Sequence, residues 1–175
     1  MIPLLEPLRR RRERPEVRLR DAGMAVGLRV ADIGAGYGYY AIPALEIVGA
    51  EGFVYAVEPN PNRAREISKR VQKLGAHNLK VLEATAEDLD EIPPGDVDVA
   101  IAMSSFHHFE DRRKALQALR RIIRPGGTIY IRDMKAGRIF KHGSDGQDFR
   151  GVVSSEFRDA TFDEDSGHIT ARIRV

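Results

Sequence analysis

Two kinds of hydrophobic pattern alternate along the chain from residue 28. Short apolar runs are separated by longer amphipathic stretches, with turn residues between them. A short apolar run bounded by turn residues is typical of a buried strand, and a longer amphipathic stretch is typical of a helix. The predicted strands are 28–33, 53–57, 79–82, 97–103 and 128–132; the predicted helices are 38–48, one opened by Pro59-Asn60-Pro61 that runs to Leu74, and 111–123. This alternation predicts a parallel sheet with helices on both faces.

The pattern changes near the last parallel strand. Arg124-Pro125-Gly126-Gly127 predicts a turn before that strand, and residues 136–151, rich in Gly, Lys, His and Asp, predict a loop or lid. Residues 156–162 and 168–175 flank a polar turn, and the second segment alternates apolar with polar side chains, as half-buried strands do. We therefore predict an α/β fold with a doubly wound, mostly parallel sheet of seven strands or slightly fewer, ending in an antiparallel C-terminal edge hairpin.

Residues 1–23 form an arginine-rich extension ahead of a single domain at 24–175. Pro15 is suited to the first turn of a helix and Gly23 to its end, so one or two short helices are expected near the sheet edge or over the ligand mouth. Seven arginines lie between residues 9 and 20. They form either a basic patch for an anionic partner or a solvated face paired in part with neighbouring glutamates.

Composition narrows the class of protein. The chain has no apolar run of 18 residues and no apolar centre near its start, so we expect a cytoplasmic protein without a membrane span. It contains no cysteine, which excludes disulfides, thiolate metal ligands and a cysteine nucleophile. Arginine exceeds lysine while Asn and Gln are scarce, which indicates a heat-adapted (thermophile) source.

A glycine-rich loop follows the first predicted strand, with glycines at positions 34, 36 and 38. Such a loop lets a ligand approach the backbone, and the following helix N-terminus favours a negative group. Tyr39 stands where a dinucleotide-binding loop needs its third glycine, which disfavours an NAD-dependent oxidoreductase. There is also no Gly-Lys-Ser/Thr, so a P-loop is excluded.

Four features in order resemble the class I S-adenosylmethionine-dependent methyltransferases, over roughly residues 24–135. They are Val30–Gly38 with its glycines; Glu58 at the end of the second strand; Thr85-Ala86-Glu87-Asp88 followed by Val97-Asp98-Val99-Ala100 and Ser105-Phe106-His107-His108; and Arg121 to Gly127. The resemblance implies a Rossmann-like fold and S-adenosylmethionine as cofactor, with S-adenosylhomocysteine as product and no metal.

The resemblance also implies a set of cofactor-binding residues. The glycine loop lies against the methionine tail, Asp32 holds the amino group, and the carboxylate of Glu58 accepts from both ribose hydroxyls. Thr85 departs from the common Asp, which shifts adenine contact toward Ala86 and Glu87. The full implied set is Asp32, Gly34, Ala35, Gly36, Tyr37, Gly38, Glu58, Pro59, Thr85, Ala86, Glu87, Met103 and Ser104.

Methyl transfer depends mainly on holding the acceptor in line with the reactive carbon. A general base is needed only where the acceptor's proton must leave early. The candidates for that role are His107, His108 and Asp133, at the ends of the fourth and fifth strands. The alternative for the histidine pair is packing of the loop that carries it.

The acceptor is expected to be a small molecule, because no separate substrate domain is present. Met103-Ser104-Ser105-Phe106 replaces Asn/Asp-Pro-Pro-Tyr, which argues against the exocyclic amines of bases, and the absence of cysteine argues against pyrimidine C5 and thiol-dependent arsenite methylation. Two alternatives stand: a non-catalytic cofactor-binding regulatory or partner subunit, and an RNA methyltransferase that uses the arginine-rich segment. A monomer or homodimer is expected.

Overall fold

The computed structural model describes residues 14–135 and 143–175. The strands are β1 (Arg29–Ile33), β2 (Phe53–Val57), β3 (Leu79–Leu82), β4 (Val97–Met103), β5 (Ile123–Met134), β6 (Thr161–Glu164) and β7 (His168–Arg174). The helices are α1 (Pro15–Asp21), α2 (Ala41–Val48), α3 (Pro61–Leu74), α4 (Arg112–Ile122) and α5 (Gly146–Glu156), with a 3-10 turn at Phe106–His108.

The strands form one seven-stranded sheet in the order β3-β2-β1-β4-β5-β7-β6. Strands β1 to β5 pair in parallel, whereas β7 is antiparallel to both β5 and β6. The sequence prediction of a doubly wound, mostly parallel sheet with an antiparallel C-terminal hairpin is therefore confirmed. Strand order reverses between β1 and β4, and in open α/β sheets ligands bind in the crevice at the carboxyl ends of strands flanking such a point.

Local sequence explains why the elements begin and end where they do. Asn60 accepts hydrogen bonds from the backbone N–H groups of Asn62 and Arg63 at the start of α3, and Gly75 ends that helix in the left-handed conformation. Strand β4 is buried on both faces except at Asp98, as the continuous apolar run predicts for a central parallel strand.

Two hydrophobic clusters cover the two faces of the sheet. One includes Phe106, Leu116 of α4 and Phe149 of α5; the other includes Leu19 of α1 and Ile67 of α3. Helix α1 thus packs on a sheet face beside α2, and the Arg172 guanidinium of β7 donates to the carbonyl of Asp21 at 2.6 Å. The rest of the arginine-rich segment, residues 1–13, lies outside the described residues, and a boundary at residue 23 stays a prediction.

Three sequence predictions about the C-terminal half were wrong. The first arm of the hairpin was predicted over 156–162, but Glu156 ends α5 and the strand is Thr161–Glu164, so it includes two residues assigned to the turn. Residues 146–151, assigned to a loop or lid, begin helix α5, which Asp145 caps through the N–H groups of Gln147 and Asp148. The remainder of that stretch, 136–142, falls outside the part of the chain that the structure describes. The predicted turn at 124–127 belongs to β5, where Gly126 has φ 78° and the register against β4 shifts between Val97 and Val99.

Both edges of the sheet are short. Strands β3 and β6 have four residues each, and β6, not β7, is the outermost C-terminal strand. Exposed charged side chains lie on them: Lys80 on β3, Asp163 and Glu164 on β6. Among the described residues, no helix combines the length and apolar character needed to cross a membrane.

Candidate functional site

A cavity of about 750 Å³ opens at the carboxyl ends of β1, β2 and β4. This volume lies within the range of about 300–1,000 Å³ that small-molecule sites occupy. The lining residues are Gly34, Ala35, Gly36, Tyr37, Tyr39, Tyr40, Glu58, Pro59, Arg63, Thr85, Ala86, Glu87, Met103, Ser104, Ser105, His108, Phe109, Glu110 and Met134.

The glycine loop is fixed on two sides. The N–H groups of Gly34 and Ala35 both donate to the carbonyl of Val57 at 2.9 Å, which ties the loop to the end of β2. Gly34 has φ 78°, and a Cβ added there would lie 2.5 Å from Cβ of Ser105. The Ser105 hydroxyl donates to the carbonyl of Ile33 at 2.7 Å. A side chain at position 34 would therefore separate the loops that follow β1 and β4.

Glu58 places a buried carboxylate on the cavity wall. The residue is only 3% exposed, and its Oε2 accepts from the N–H of Gly36 at 2.8 Å while Oε1 accepts from the N–H of Asn60 at 3.0 Å. A guanidinium nitrogen of Arg63 lies 3.8 Å from Oε1. Because each carboxylate oxygen can accept two hydrogen bonds, Glu58 keeps capacity for donors within the cavity.

Asp32 is a second buried carboxylate behind the same loop. It is 2% exposed, and its Oδ2 has no hydrogen-bond partner among the described residues. The pKa of Asp32 is raised from 3.8 to about 7, chiefly by burial and in smaller part by the nearby charge of Glu58, while a hydrogen bond from the backbone of Ala41 opposes the shift. A buried acceptor without a donor is costly unless a ligand satisfies it. Asp32 and Gly38 are the two members of the implied set that do not line the cavity.

The segment after β3 forms another wall. Ala86 is buried, Thr85 is exposed, and Glu87 Oε1 accepts from the N–H of Asp111 at 3.0 Å. This contact ties the segment to the start of α4. Pro59 lines the cavity on the β2 side.

Ser104 carries backbone strain at the end of β4. Its φ is 54°, in a region that non-glycine residues seldom adopt, and its N–H donates to the carbonyl of Arg132 at 2.7 Å. Strained residues of this kind cluster at functional sites. Ser104 lines the cavity together with the buried side chain of Met103.

The three candidates for acid–base chemistry lie side by side, but only one of them lines the cavity. Asp133 is fully buried: Oδ1 lies 2.7 Å from His107 Nδ1 and accepts from the N–H of Met134, while Oδ2 accepts from the N–H of His107 and from the hydroxyl of Ser144 at 2.6 Å. Neither His107 nor Asp133 lines the cavity. His108 does, and its ring centroid lies 3.9 Å from that of His107.

Seven lining residues were neither in the implied cofactor-binding set nor among the acid–base candidates: Tyr39, Tyr40, Arg63, Ser105, Phe109, Glu110 and Met134. The tyrosines directly follow the glycine loop, and Phe109 and Glu110 directly follow the histidine pair, so their positions in sequence were the available signal. Arg63 lies one turn into α3, and its place on the wall depends on how that helix packs. No group of three His, Asp or Glu residues suited to a metal ion occurs in residues 14–135 and 143–175.

Comparison with known proteins finds similarity to methyltransferases in both sequence and structure. A family model described as "Methyltransferase domain" matches residues 31–131. A methyltransferase of Claviceps purpurea is 33% identical over 119 residues, and a ubiquinone/menaquinone biosynthesis C-methyltransferase of Pasteurella multocida is 27% identical over 111 residues; each match covers 63% of this chain. The matches cover only 35% and 41% of those relatives, so the chain spans well under half of their length.

A solved structure is similar over nearly the whole chain. The SAM-dependent methyltransferase of Aquifex aeolicus superposes with a TM-score of 0.81 at 22% identity, covering 92% of this chain and 89% of that one. At this identity the similarity shows the fold.

Proposed function

Since the chain belongs to the family of methyltransferase domains, we propose that it transfers a methyl group from S-adenosylmethionine to a small-molecule acceptor. The observation that carries the proposal is the pair of buried carboxylates, Asp32 and Glu58, on either side of the glycine loop. Within residues 14–135 and 143–175, Asp32 keeps an oxygen without a hydrogen-bond donor, and Glu58 faces the cavity.

The methionine end of the cofactor fits the loop after β1. Its ammonium group supplies the positive, hydrogen-bonding partner that Asp32 Oδ2 lacks, directly or through water. Gly34 leaves no side chain between the loop and Ser105, so the tail can lie close to the backbone of residues 34–38.

The ribose and adenine fit the β2 and β3 sides. Glu58 is a bidentate acceptor suited to two adjacent hydroxyls, and Pro59 follows it on the wall. Ala86 and Glu87 line the cavity on the adenine side, together with the hydroxyl-bearing Thr85. Met103 and Ser104 form the floor.

When bound, S-adenosylmethionine would supply an electrophilic methyl carbon on a sulfonium. The acceptor's lone pair would form the new bond to that carbon, and the electron pair of the broken carbon–sulfur bond would stay on sulfur. The contribution of the protein is to hold the acceptor in line with that carbon and to exclude water. His108 lies on the wall and can receive an acceptor proton. His107 and Asp133 act as positioning residues behind that wall.

The proposal of a small-molecule acceptor is supported by the size of the cavity and by the Pasteurella relative, which is named for quinone biosynthesis. Most of the arginine-rich segment lies outside the described residues, so RNA binding stays a prediction. The cytoplasmic location, the heat-adapted source and the monomer or homodimer state stay predictions too.

Isothermal titration tests the cofactor site. We expect micromolar binding of S-adenosylmethionine and S-adenosylhomocysteine and no binding of NAD. Glu58→Gln should weaken both sulfur ligands by about tenfold or more, since charge-assisted hydrogen bonds contribute roughly 1.5–3 kcal/mol. Glu51→Gln is the matched control, because Glu51 is exposed at the opposite end of β2. Absence of binding to either sulfur ligand would contradict the proposal.

A further inference from the structure

The wall of the cavity divides into two halves by strand order. The loop after β1, Glu58 and the segment after β3 belong to one side of the switch point, where the proposed cofactor lies. His108, Phe109, Glu110 and Met134 come from the ends of β4 and β5 on the other side. We call these four residues the acceptor wall, because an acceptor must approach the cofactor from that side.

Glu110 is an unpaired negative charge on the acceptor wall. Within the described part of the chain its exposed carboxylate has no ion-pair or hydrogen-bond partner. Glu87 on the adjoining wall accepts a backbone N–H but has no basic partner there either. The basic side chain on the described wall is that of Arg63, and it lies against Glu58.

At several other places a nearby base neutralises an acid: Lys69 pairs with Glu66, Lys80 with Glu91, and Lys135 and Arg150 with Glu164. Other exposed acids, such as Glu51 and Asp159, also have no ion pair within the described residues, but they lie away from the cavity, whereas Glu110 and Glu87 line it. The chain has a formal net charge of +2, so bases for pairing are not scarce. The mouth of the cavity is therefore locally negative on a slightly basic protein, and such a field attracts cations and repels anions.

The remaining acceptor-wall side chains suit an apolar body. Phe109 offers an aromatic ring, whose face also attracts cations, and Met134 offers a flexible apolar surface that adapts to irregular shapes. A positive group near Glu110 and an apolar or aromatic group against Phe109 and Met134 would satisfy both features at once.

We propose that the methyl acceptor is a small amine with an apolar or aromatic body, that Glu110 recognises its ammonium group, and that this group loses one proton to His108 on the same wall before the nitrogen lone pair attacks the methyl carbon. This assignment rests on the proposed methyltransferase function. Glu110 is a specificity-determining residue here, and phosphorylated or carboxylate-bearing acceptors are discriminated against.

Three matched probes test the assignment on protein saturated with S-adenosylhomocysteine: 2-phenylethylamine, 2-phenylethanol and 3-phenylpropionate. They share an aromatic body and differ in charge. At neutral pH we expect the amine to bind about tenfold more tightly than the acid, with the alcohol between them, and the spread to narrow as salt screens the charges. Glu110→Gln should weaken amine binding about fivefold and leave alcohol binding within about twofold, whereas Glu51→Gln should change neither.

The outcomes separate the two proposals. Failure of S-adenosylhomocysteine to bind removes the proposed function and the acceptor assignment with it. If S-adenosylhomocysteine binds, the function stands; the acceptor assignment is then overturned by an amine that binds no better than the alcohol, by a preference that survives Glu110→Gln, or by the failure of all three probes to bind at millimolar concentration.

Discussion

Asp32 and Asp133 are the same residue type in equivalent places, near the carboxyl ends of β1 and β5, and both are almost fully buried. Their surroundings differ. Asp133 has two partners for each oxygen, drawn from His107, Met134 and Ser144. Asp32 has one oxygen without any partner among the described residues. The protein itself supplies every hydrogen-bond partner of the first carboxyl group, whereas the second keeps an acceptor that the proposed function assigns to the cofactor's ammonium group.

The comparison shows that the carboxyl ends of the strands can hold both a fully hydrogen-bonded carboxyl group and one that keeps an acceptor without a donor among the described residues. Asp133 joins the end of β5 to the turn after β4 and to Ser144, so the acceptor wall has a fixed backing. The unpaired oxygen of Asp32 carries a desolvation cost that the proposed contact with an ammonium group would offset. Burial is common to both residues, so it is the number of hydrogen-bond donors to each carboxyl group that distinguishes them.

Removing Asp133 should have the largest effect. Asp133→Ala leaves the buried ring and N–H of His107 and the hydroxyl of Ser144 without their acceptor, so we expect a loss of about 3–5 kcal/mol in the free energy of unfolding. Urea titration measures it, with Asp159→Ala at an exposed carboxylate as control. A loss below about 1 kcal/mol would mean that the network is not structural.

Gly34→Ala should have the second-largest effect on the free energy of unfolding, because position 34 lies where the loop beside Asp32 meets Ser105. The left-handed φ costs about 1–2 kcal/mol for alanine, and the 2.5 Å contact adds about 1–3 kcal/mol of overpacking. Gly75→Ala is a matched control, since Gly75 has φ 65° and nothing within 4 Å of the added Cβ. We expect thermal unfolding to separate the two variants and S-adenosylhomocysteine affinity to fall only in Gly34→Ala; equal stability would exclude the close approach.

The pH dependence of ligand affinity should show whether ionisation of Asp32 is coupled to binding. Its pKa of about 7 lies above the ordinary 3.8, so its contribution to the stability of the ligand-free protein is present below about pH 4 and is lost as pH rises through 7. A bound ammonium favours the ionised form, so S-adenosylhomocysteine affinity should rise with pH up to about 7, by at most about tenfold per unit, and then level off.

Asp32→Asn removes the titrating carboxyl group. Titrations between about pH 5 and 8 should show weaker and nearly flat binding in this variant, while Glu51→Gln keeps the slope of the natural chain. A slope that persists in Asp32→Asn would assign the titration to another group. The ligand-free variant should also be more stable than the natural chain above pH 7.

Ser104→Gly should have the smallest effect on the free energy of unfolding. It should stabilise the protein, whereas Asp133→Ala and Gly34→Ala should destabilise it. Glycine accepts φ 54° without strain, so a stability gain of up to about 1 kcal/mol is expected. Ser154→Gly in the middle of an exposed helical turn of α5 should instead lose about 0.5–1 kcal/mol. Differential scanning calorimetry compares them, and a loss in Ser104→Gly would show that its side chain outweighs the strain.

Local signals predicted most of the fold. Asn60 and Gly75 bounded α3, and the apolar run of β4 marked a central strand, because caps and hydrophobic period are written in neighbouring residues. Helix α5 was missed because it contains two glycines and mostly polar residues. Its buried side chains, Phe149 and Val153, are one helical turn apart behind the Asp145 cap, and that spacing was the available clue.

The candidate site was less predictable where it depends on sheet order. Glu58 and the glycine loop follow directly from strand ends, and the structure places both on one cavity. Asp133 and His107 are 26 residues apart, and they meet only because β4 and β5 pair with Met103 opposite Arg132. Whether a side chain faces the cavity, as His108 does, or the interior, as His107 does, is likewise set by tertiary packing.

The two short outer strands have a consequence for the protein in a crowded solution. An edge strand is a template on which a foreign strand can add, and long, flat, apolar edges promote fibrous association. Here each edge ends after four residues, with Lys80 on one side and Asp163 and Glu164 on the other. Both margins therefore carry charges that discourage the addition of a foreign strand and so limit fibrous association.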